Sequence, residues 1–378
     1  HGANRASSSM ARRRPWDAVV VGGGVVGCAV LRELTVHLGW RVLLVEASPH
    51  LAAGASSGNT GIACTASDVP PGTLEHACLL EGTRLNLPTY RALNVPHRAS
   101  GTMYVGHGAA DLAALSREHA ARQRRGDTTS TILSADEARS REPGLSPTVA
   151  GALYVPSEVV LDPWLVPLAY ARHAHENGAT IRRGTELTAA AWVDGCWQLQ
   201  LSAACHPQLS AACHPQPQLQ HSTAAAQLEE ARLVVACGGL LGDALESLHR
   251  QPPFAIRPRR GDYILFDDAS ALGDTPIGSV ASEVSRGAYV WRSVHGVVAC
   301  GPTAEPVSDR AMPPSPTPSS VVDALVAAAV EAVPTLGGSS VVSTYAGLRP
   351  GSDVSSDYQI GMAAGGGSGG GREGGGGG

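Results

Sequence analysis

The chain has 378 residues, 43% of them hydrophobic and 16% charged, and a formal net charge of −5. That length suits one large two-lobed protein or two ordinary domains with an ample core. The near-neutral balance, with no basic block and no basic patch interleaved with aromatics, argues against nucleic acid as a partner. No apolar run reaches the roughly eighteen residues a membrane-spanning helix needs, so no transmembrane segment is expected.

Residues 1–14 contain Arg and Ser and no acid, and read either as a disordered charged leader or as the tail of a mitochondrial or plastid transit peptide. The run DAVVVGGGVVG, Asp17 to Gly27, then reads as a buried strand turning through glycines into a helix. Gly22, Gly24 and Gly27 match the dinucleotide fingerprint: a tight turn, room for a pyrophosphate to approach the backbone, and close packing of helix on strand. Apolar residues at helical spacing predict that the helix continues over Cys28 to Leu38, with Gly39 as its C-cap. A second strand, Arg41 to Val45, ends on Glu46. That carboxylate lies nineteen residues after Gly27, where the fingerprint places the acceptor for the adenosine ribose hydroxyls. Glycine is common in this chain, with 45 residues, but strand, glycines, helix, second strand and terminal acid occur in order. The ribose contact suits an unphosphorylated dinucleotide better than NADP, and leaves its identity open.

Further along, Leu51 to Asp68 reads as a small-residue loop, Gly72 to Leu93 as a helix and Gly101 to Val105 as a strand. A second βαβ-like unit is expected from Leu153–Val155, a helix over Trp164–Glu176, Gly178, and strands at Thr180–Arg183 and Thr185–Leu187. Strand-rich Ala189–Leu201 and Ala225–Glu229 are expected to form a hairpin with an enlarged loop. That loop holds an exact tandem copy of LSAACHPQ within a low-complexity insert, residues 201–222. The eight cysteines include no C-x-x-C and read as reduced, buried thiols. Cys205-His206 and Cys213-His214 belong to the duplication, and no metal site is expected. Ala231 to Gly239 is a further buried strand ending in glycines. After Met362 the chain turns to polyglycine, and residues 363–378 are expected to be disordered.

Several of these segments in combination resemble the FAD-dependent oxidoreductases related to D-amino-acid oxidase, most closely the branch of glycerol-3-phosphate dehydrogenase and L-2-hydroxyglutarate dehydrogenase. The resemblance is carried by the glycine motif with Glu46, GASSGNTGI (Gly54–Ile62), PPGTLE (Pro70–Glu75) and GALYVPSEVVLDPWLV (Gly151–Val166). It extends through VVACGG (Val234–Gly239), RPRRGDYILF (Arg257–Phe266), GPTAE (Gly301–Glu305) and AGLRPGSD (Ala346–Asp353).

The resemblance implies an α/β fold with a discontinuous Rossmann-like FAD-binding lobe (residues 15–96, 151–250 and 343–362) and a mostly antiparallel-sheet substrate lobe (97–150 and 251–342). FAD is then the cofactor. Glu46 with the adjoining Ala47 would hold its ribose, Leu187 its adenine through the backbone, and Gly238 would lie near the nucleotide. Ser56, Ser57, Asn59 and Thr60 would offer hydroxyl and amide groups along the pyrophosphate and ribityl chain. Arg349 is the residue implied to clamp an anionic substrate, because a guanidinium can form two parallel hydrogen bonds to a carboxylate or phosphate. Arg257, Arg259 and Arg260 are weaker candidates.

The implied reaction is hydride transfer from a small anionic CH–OH substrate of the 2-hydroxy-acid or glycerol 3-phosphate type, with oxygen or a quinone open as the electron acceptor. Two alternatives stand beside it: an amino-acid or sarcosine-type oxidase, and a truncated nucleotide-binding protein without turnover. The second follows from the C-terminus, where the family continues past GLRP into a strand, a Gly-rich turn and a final helix. Dehydrogenases of this branch often carry a histidine where this chain has Cys64, which leaves the general base unassigned. His295 reads as a surface-turn histidine.

Overall fold

The computed structural model describes residues 14–66, 69–204, 227–268, 270, 272–280, 287–310 and 315–362. The expectations for the leader up to residue 13, for the duplicated Cys-His pairs and for the tail from residue 363 fall outside these.

Strand β1 (Trp16–Val21) leads through the glycines into α1 (Val25–Arg32), which continues as a π-helical turn over Glu33–His37 before Gly39 ends it at φ +66°. There follow β2 (Val42–Glu46), β3 (Ile62–Ala63), α2 (Leu74–Ala92), β4 (His97–Arg98), β5 (Thr102–Gly106), α3 (Ala109–Arg124), β6 (Thr131–Ser134) and α4 (Ala135–Arg141). The middle of the chain contributes β7 (Gly151–Val155), β8 (Val159–Leu161), α5 (Leu165–Glu176), β9 (Thr180–Arg183), β10 (Thr185–Val193), β11 (Cys196–Ala203), β12 (Gln227–Ala236) and α6 (Gly242–Glu246). The last part holds β13 (Ile256–Phe266), β14 (Ile277–Ser279), β15 (Tyr289–Arg292), β16 (Val298–Gly301), β17 (Glu305–Pro306), α7 (Ser319–Ala332) and β18 (Val341–Ser352).

The first sheet has the order β10-β11-β12-β1-β2-β9, with β12, β1, β2 and β9 mutually parallel. Its inner strands are apolar on both faces because both are covered. Ala18, Val20, Val42 and Leu44 pack against Cys28 and Leu31 of α1 and Ala171 and Ala174 of α5, while Val19, Val21, Leu43 and Val45 meet Leu187, Leu199 and Leu201 from the β10–β11 hairpin. The second sheet runs β17-β13-β16-β15-β14-β5-β7-β6, with β18 along β13, and is antiparallel except where β14 pairs β5. Its outer face is sealed by α4 and by Leu325, Ala329 and Val333 at α7. A three-stranded ribbon, β3-β8-β4, lies beside the two.

Sheet membership corrects three expectations. The Leu153 strand is β7, antiparallel to β5 and β6 in the second sheet, so it forms no βαβ unit with β9. Residues 343–352 belong to β18 and pair antiparallel with β13 over almost its whole length, so the segment expected in the first lobe completes the second sheet. Ala189–Leu201 is itself a hairpin, turning at Asp194 and Gly195 with positive φ, and Gln227 to Ala236 is one strand rather than a hairpin arm followed by a separate strand. Physically, β12 bridges two environments: its first half pairs with β11 and its second half with β1. Not all cysteines are buried either: Cys28 and Cys300 are, with thiols pushed up to about 12 by burial, whereas Cys78 is exposed on α2.

One ion pair ties α6 to the second sheet. Arg310 donates to both carboxylate oxygens of Asp243 at 2.7 and 2.8 Å and to Ile256 O at 2.7 Å, while Asp243 Oδ2 accepts the Ile256 N–H at 2.9 Å. The guanidinium and these donors hold the Asp243 carboxyl at about 2, below its ordinary 3.8. A carboxyl lowered in the folded state stabilises fully above its unfolded value and loses that contribution as pH falls from about 4 to about 2. Asp243→Asn is therefore expected to lower stability at pH 7 by roughly 1 kcal/mol, allowing for solvent screening of the pair. Urea titrations of both proteins should converge as the pH approaches 2; a constant gap would show that the effect is steric.

Candidate active site

The carboxyl ends of β1, β2 and β12 converge on a glycine cradle. Gly22 leaves β1 at φ +110°, and a Cβ there would lie 2.3 Å from the Cys237 carbonyl oxygen at the end of β12. A Cβ on Gly27 would stand 1.9 Å from Gly22 O, so α1 seats against the strand only because this position lacks a side chain. Gly24 caps α1 with extended backbone, no side-chain cap and no acid in the first turn. The helix therefore turns its positive end toward the cradle, which fits a pyrophosphate. Glu46 is fixed beside it: Gly23 N–H donates to one carboxylate oxygen and Ser48 N–H to the other, both at 2.6 Å. Each oxygen keeps a further acceptor site for a ribose hydroxyl. Ala47 continues the chain from Glu46. Leu187 is buried among Val21 and Val45, directly before a β-bulge. Gly238 lies under Leu245, whose Cδ1 would be 2.5 Å from a Cβ there, so its missing side chain serves the packing of α6.

The polar side chains of the loop after Glu46 are engaged largely within the loop. Asn59 does not turn its amide outward: Nδ2 donates to Ala55 O and Ser56 O at 3.0 and 3.2 Å, and Oδ1 accepts the Gly61 N–H at 2.9 Å. Ser57 Oγ likewise donates to Gly54 O, and Thr60 Oγ1 accepts the Ile62 N–H. Short polar side chains compete for nearby backbone groups, and here they pin the loop. Ser56 is the member that reaches the cradle, its Oγ accepting the Val25 N–H at 2.9 Å.

So stiffened, the loop touches the second sheet. A Cβ on Gly347 of β18 would be 1.9 Å from Gly58 O, and Tyr345 Oη donates to Asn59 O at 3.2 Å. Two residues beyond Gly347 stands Arg349. It is half-buried, its guanidinium lies over Gly261 with Nη2 2.9 Å from that residue's Cβ position, and it donates to Thr303 O at 3.2 Å. Burial raises the neighbouring Tyr263 hydroxyl, and the Arg349 charge opposes that rise. Among the described residues, no carboxylate pairs with Arg349. Directly opposite it on β13 is Arg259, exposed, with Nη2 on Ala304 O. The register thus places two guanidinium-bearing residues side by side at this edge of the sheet.

The weaker candidates separate. Arg257 is exposed beside Asp353 at 3.8 Å. Arg260 is excluded as a substrate contact: it points to the opposite, buried face, where it grips Asp262 at 2.6 Å and Ser315. His295 stands on the β15–β16 turn as read, but its Nε2 contacts the buried carboxylate of Asp162.

Sequence reasoning missed what lies between these parts. Strand register places Tyr345 opposite Tyr263, Gly301 beside Tyr263 and opposite Tyr289, and Gly278 opposite both Tyr289 and Tyr104. One row across six strands thus reads Tyr345, Tyr263, Gly301, Tyr289, Gly278, Tyr104. The Tyr263 and Tyr345 rings stack at 4.4 Å and 6°, and Trp291 meets Tyr263 edge-on. This face packs on Ile62 and Val160, the ribbon that carries the loop from the cradle. A period-two signal was present: Arg259, Gly261, Tyr263 on one strand and Tyr345, Gly347, Arg349 on the other.

A family model described as FAD dependent oxidoreductase matches residues 17–371. The chain is 25% identical over 335 residues to a glycerol 3-phosphate dehydrogenase of Caloramator mitchellensis, covering 88% of this chain and 64% of that protein. It is 26% identical over 356 residues to a glycerol 3-phosphate oxidase of Mycoplasma pneumoniae, covering 92% and 86%. The structure superposes on that of dithionite-reduced L-α-glycerophosphate oxidase from Mycoplasma pneumoniae with FAD bound, at a TM-score of 0.77 and 23% identity, covering 91% and 85%. The chain thus spans somewhat less than two thirds of the first of these relatives.

Proposed function

This chain belongs to the family of FAD-dependent oxidoreductases, and on that premise we propose that it oxidises a small anionic alcohol of the glycerol 3-phosphate type. The observation that carries the reading is Arg349: a half-buried guanidinium with no carboxylate partner among the described residues, two residues from the point where the loop from the nucleotide cradle meets β18. FAD, when bound, accepts the hydride of the substrate carbon. The cradle fits it: Gly22, Gly24 and Gly27 clear the backbone for the pyrophosphate, the start of α1 carries no acid and faces its charge, and Glu46 is poised for the ribose. Arg349, with Arg259 opposite, neutralises the substrate's phosphate or carboxylate and fixes its orientation. The aromatic row and Trp291 wall off water on the sheet side.

The test is anaerobic addition of substrates to the FAD-reconstituted protein. Glycerol 3-phosphate is expected to bleach the flavin absorbance, L-2-hydroxyglutarate is the second compound to try, and amino acids are expected to leave it unchanged. Bleaching by an amino acid alone would overturn the reading in favour of an amine oxidase, and a protein that takes up no FAD would overturn it altogether.

A further inference from the structure

Oxidising an alcohol releases a proton as well as a hydride, and the groups described so far do not accept it. Arg349 is a permanent cation, and His295 is engaged with Asp162 on the outer turn of the β15–β16 hairpin. At the far end of the tyrosine row lies a carboxylate that the reaction, as described, leaves unused. Glu158 is 0% exposed, directly before β8. Tyr104 Oη donates to its two oxygens at 3.2 and 3.1 Å, and Tyr104 Oη lies 3.4 Å from Tyr289 Oη. On the other side, Glu158 accepts the Thr65 N–H at 3.1 Å and the Thr65 hydroxyl at 3.0 Å. Thr65 Oγ1 also accepts from Arg122 Nη2 at 2.6 Å, and Arg122 pairs with Asp127 at 2.8 Å. Thr65, Arg122 and Asp127 line a surface cleft of about 290 Å³. A continuous chain of hydroxyl and carboxylate groups therefore runs from the tyrosine row to that cleft.

We propose that Tyr289, Tyr104 and Glu158 form a proton relay that takes the substrate's hydroxyl proton and delivers it through Thr65 to the cleft at Arg122. The inference rests on the proposed alcohol oxidation. As the C–H bond gives up its hydride, the substrate O–H proton passes to Tyr289 Oη, the Tyr289 proton to Tyr104, and the Tyr104 proton to Glu158. Both tyrosines end neutral, the carboxylate ends as a carboxylic acid, and the substrate ends as a carbonyl. Glu158 then returns to the carboxylate by passing its proton over Thr65 Oγ1 to water in the cleft.

The environment suits a carboxyl that changes state. Burial pushes the Glu158 carboxyl up, while the Thr65 N–H and the Arg122 charge pull the other way. The titratable and charged groups around the relay are Tyr104, Tyr289, Cys64 close to Tyr104, and Arg122 with its partners Asp127 and Glu118.

Three variants of the FAD-loaded protein test the relay: Glu158→Gln, Tyr104→Phe and Tyr289→Phe. Each is expected to slow substrate-driven flavin reduction on the order of a hundredfold and to change its pH profile. Binding of inorganic phosphate, read from the flavin spectrum, should be unchanged. The time-resolved infrared difference spectrum following reduction by substrate should show a transient protonated-carboxyl stretch in the wild type that Glu158→Gln lacks. Should Glu158→Gln fail to fold, the two phenylalanine variants carry the test. Wild-type rates and pH profiles in the variants, or loss of phosphate binding in parallel with rate, would overturn the relay while leaving the alcohol oxidation intact. A wild type bleached by no hydroxyl compound would overturn both.

Discussion

Arg349→Ala is expected to lower kcat/KM for an anionic alcohol on the order of a hundredfold, with flavin content unchanged. A charge-assisted hydrogen bond contributes about 1.5–3 kcal/mol, so losing a two-point contact removes roughly 3 kcal/mol of transition-state binding. Arg349→Lys should recover only part of this, because an ammonium keeps the charge but not the planar fork. The comparison also weighs the second cation: if Arg259 carries the anion by itself, Arg349→Ala will change KM by less than about threefold while Arg259→Ala takes the full loss. That outcome would move the substrate site outward along β13, toward the exposed end of the pair.

The second large effect belongs to the cradle. Gly27→Val places carbon where Gly22 O already stands, 1.9 Å from the Cβ position. A shift of more than an ångström is needed, and because the obstacle is backbone it must come from moving α1 off β1. Overpacking of this kind costs about 1–3 kcal/mol, and the displaced helix start no longer meets the pyrophosphate. The variant is expected to purify without flavin and to melt below the wild type. Gly82→Ala is the control: it lies within α2 with nothing inside 4 Å of its Cβ position, so it should retain flavin and gain about 0.5–1 kcal/mol. Full flavin occupancy in Gly27→Val would sink the cradle assignment.

The parts of this architecture that could be read in advance are those written within a few dozen residues. Gly22, Gly24, Gly27 and Glu46 follow from turn geometry, helix packing and a strand length, each of which is local. In the Gly54–Ile62 loop the local bonding was not legible: Asn59 is engaged with Ala55, Ser56 and Gly61. What could not be read is register. Nothing near Tyr104, Gly278, Tyr289, Gly301, Tyr263 or Tyr345 announces that these residues share one line, because that depends on six strands separated by as many as 241 positions from Tyr104 to Tyr345. Likewise Leu153 and Val155 have the apolar character of a strand in either sheet, and only their partners decide which.

That shared line has a consequence for how the second sheet finds its alignment. Tyrosine rings are accommodated where a glycine stands next in line: a Cβ at Gly278 would lie 3.0 Å from Tyr289 and 3.1 Å from Tyr104, and one at Gly301 would lie 2.7 Å from Tyr263. Sliding β15 by one residue would bring Val290 into the line and turn Tyr289 toward the layer beneath α7, and sliding β16 would bring Cys300 into it. Ring against gap thus works as a key against its wards, admitting one alignment of strands that meet late along the chain. Gly278 and Gly301 should then tolerate substitution as poorly as the tyrosines they make room for.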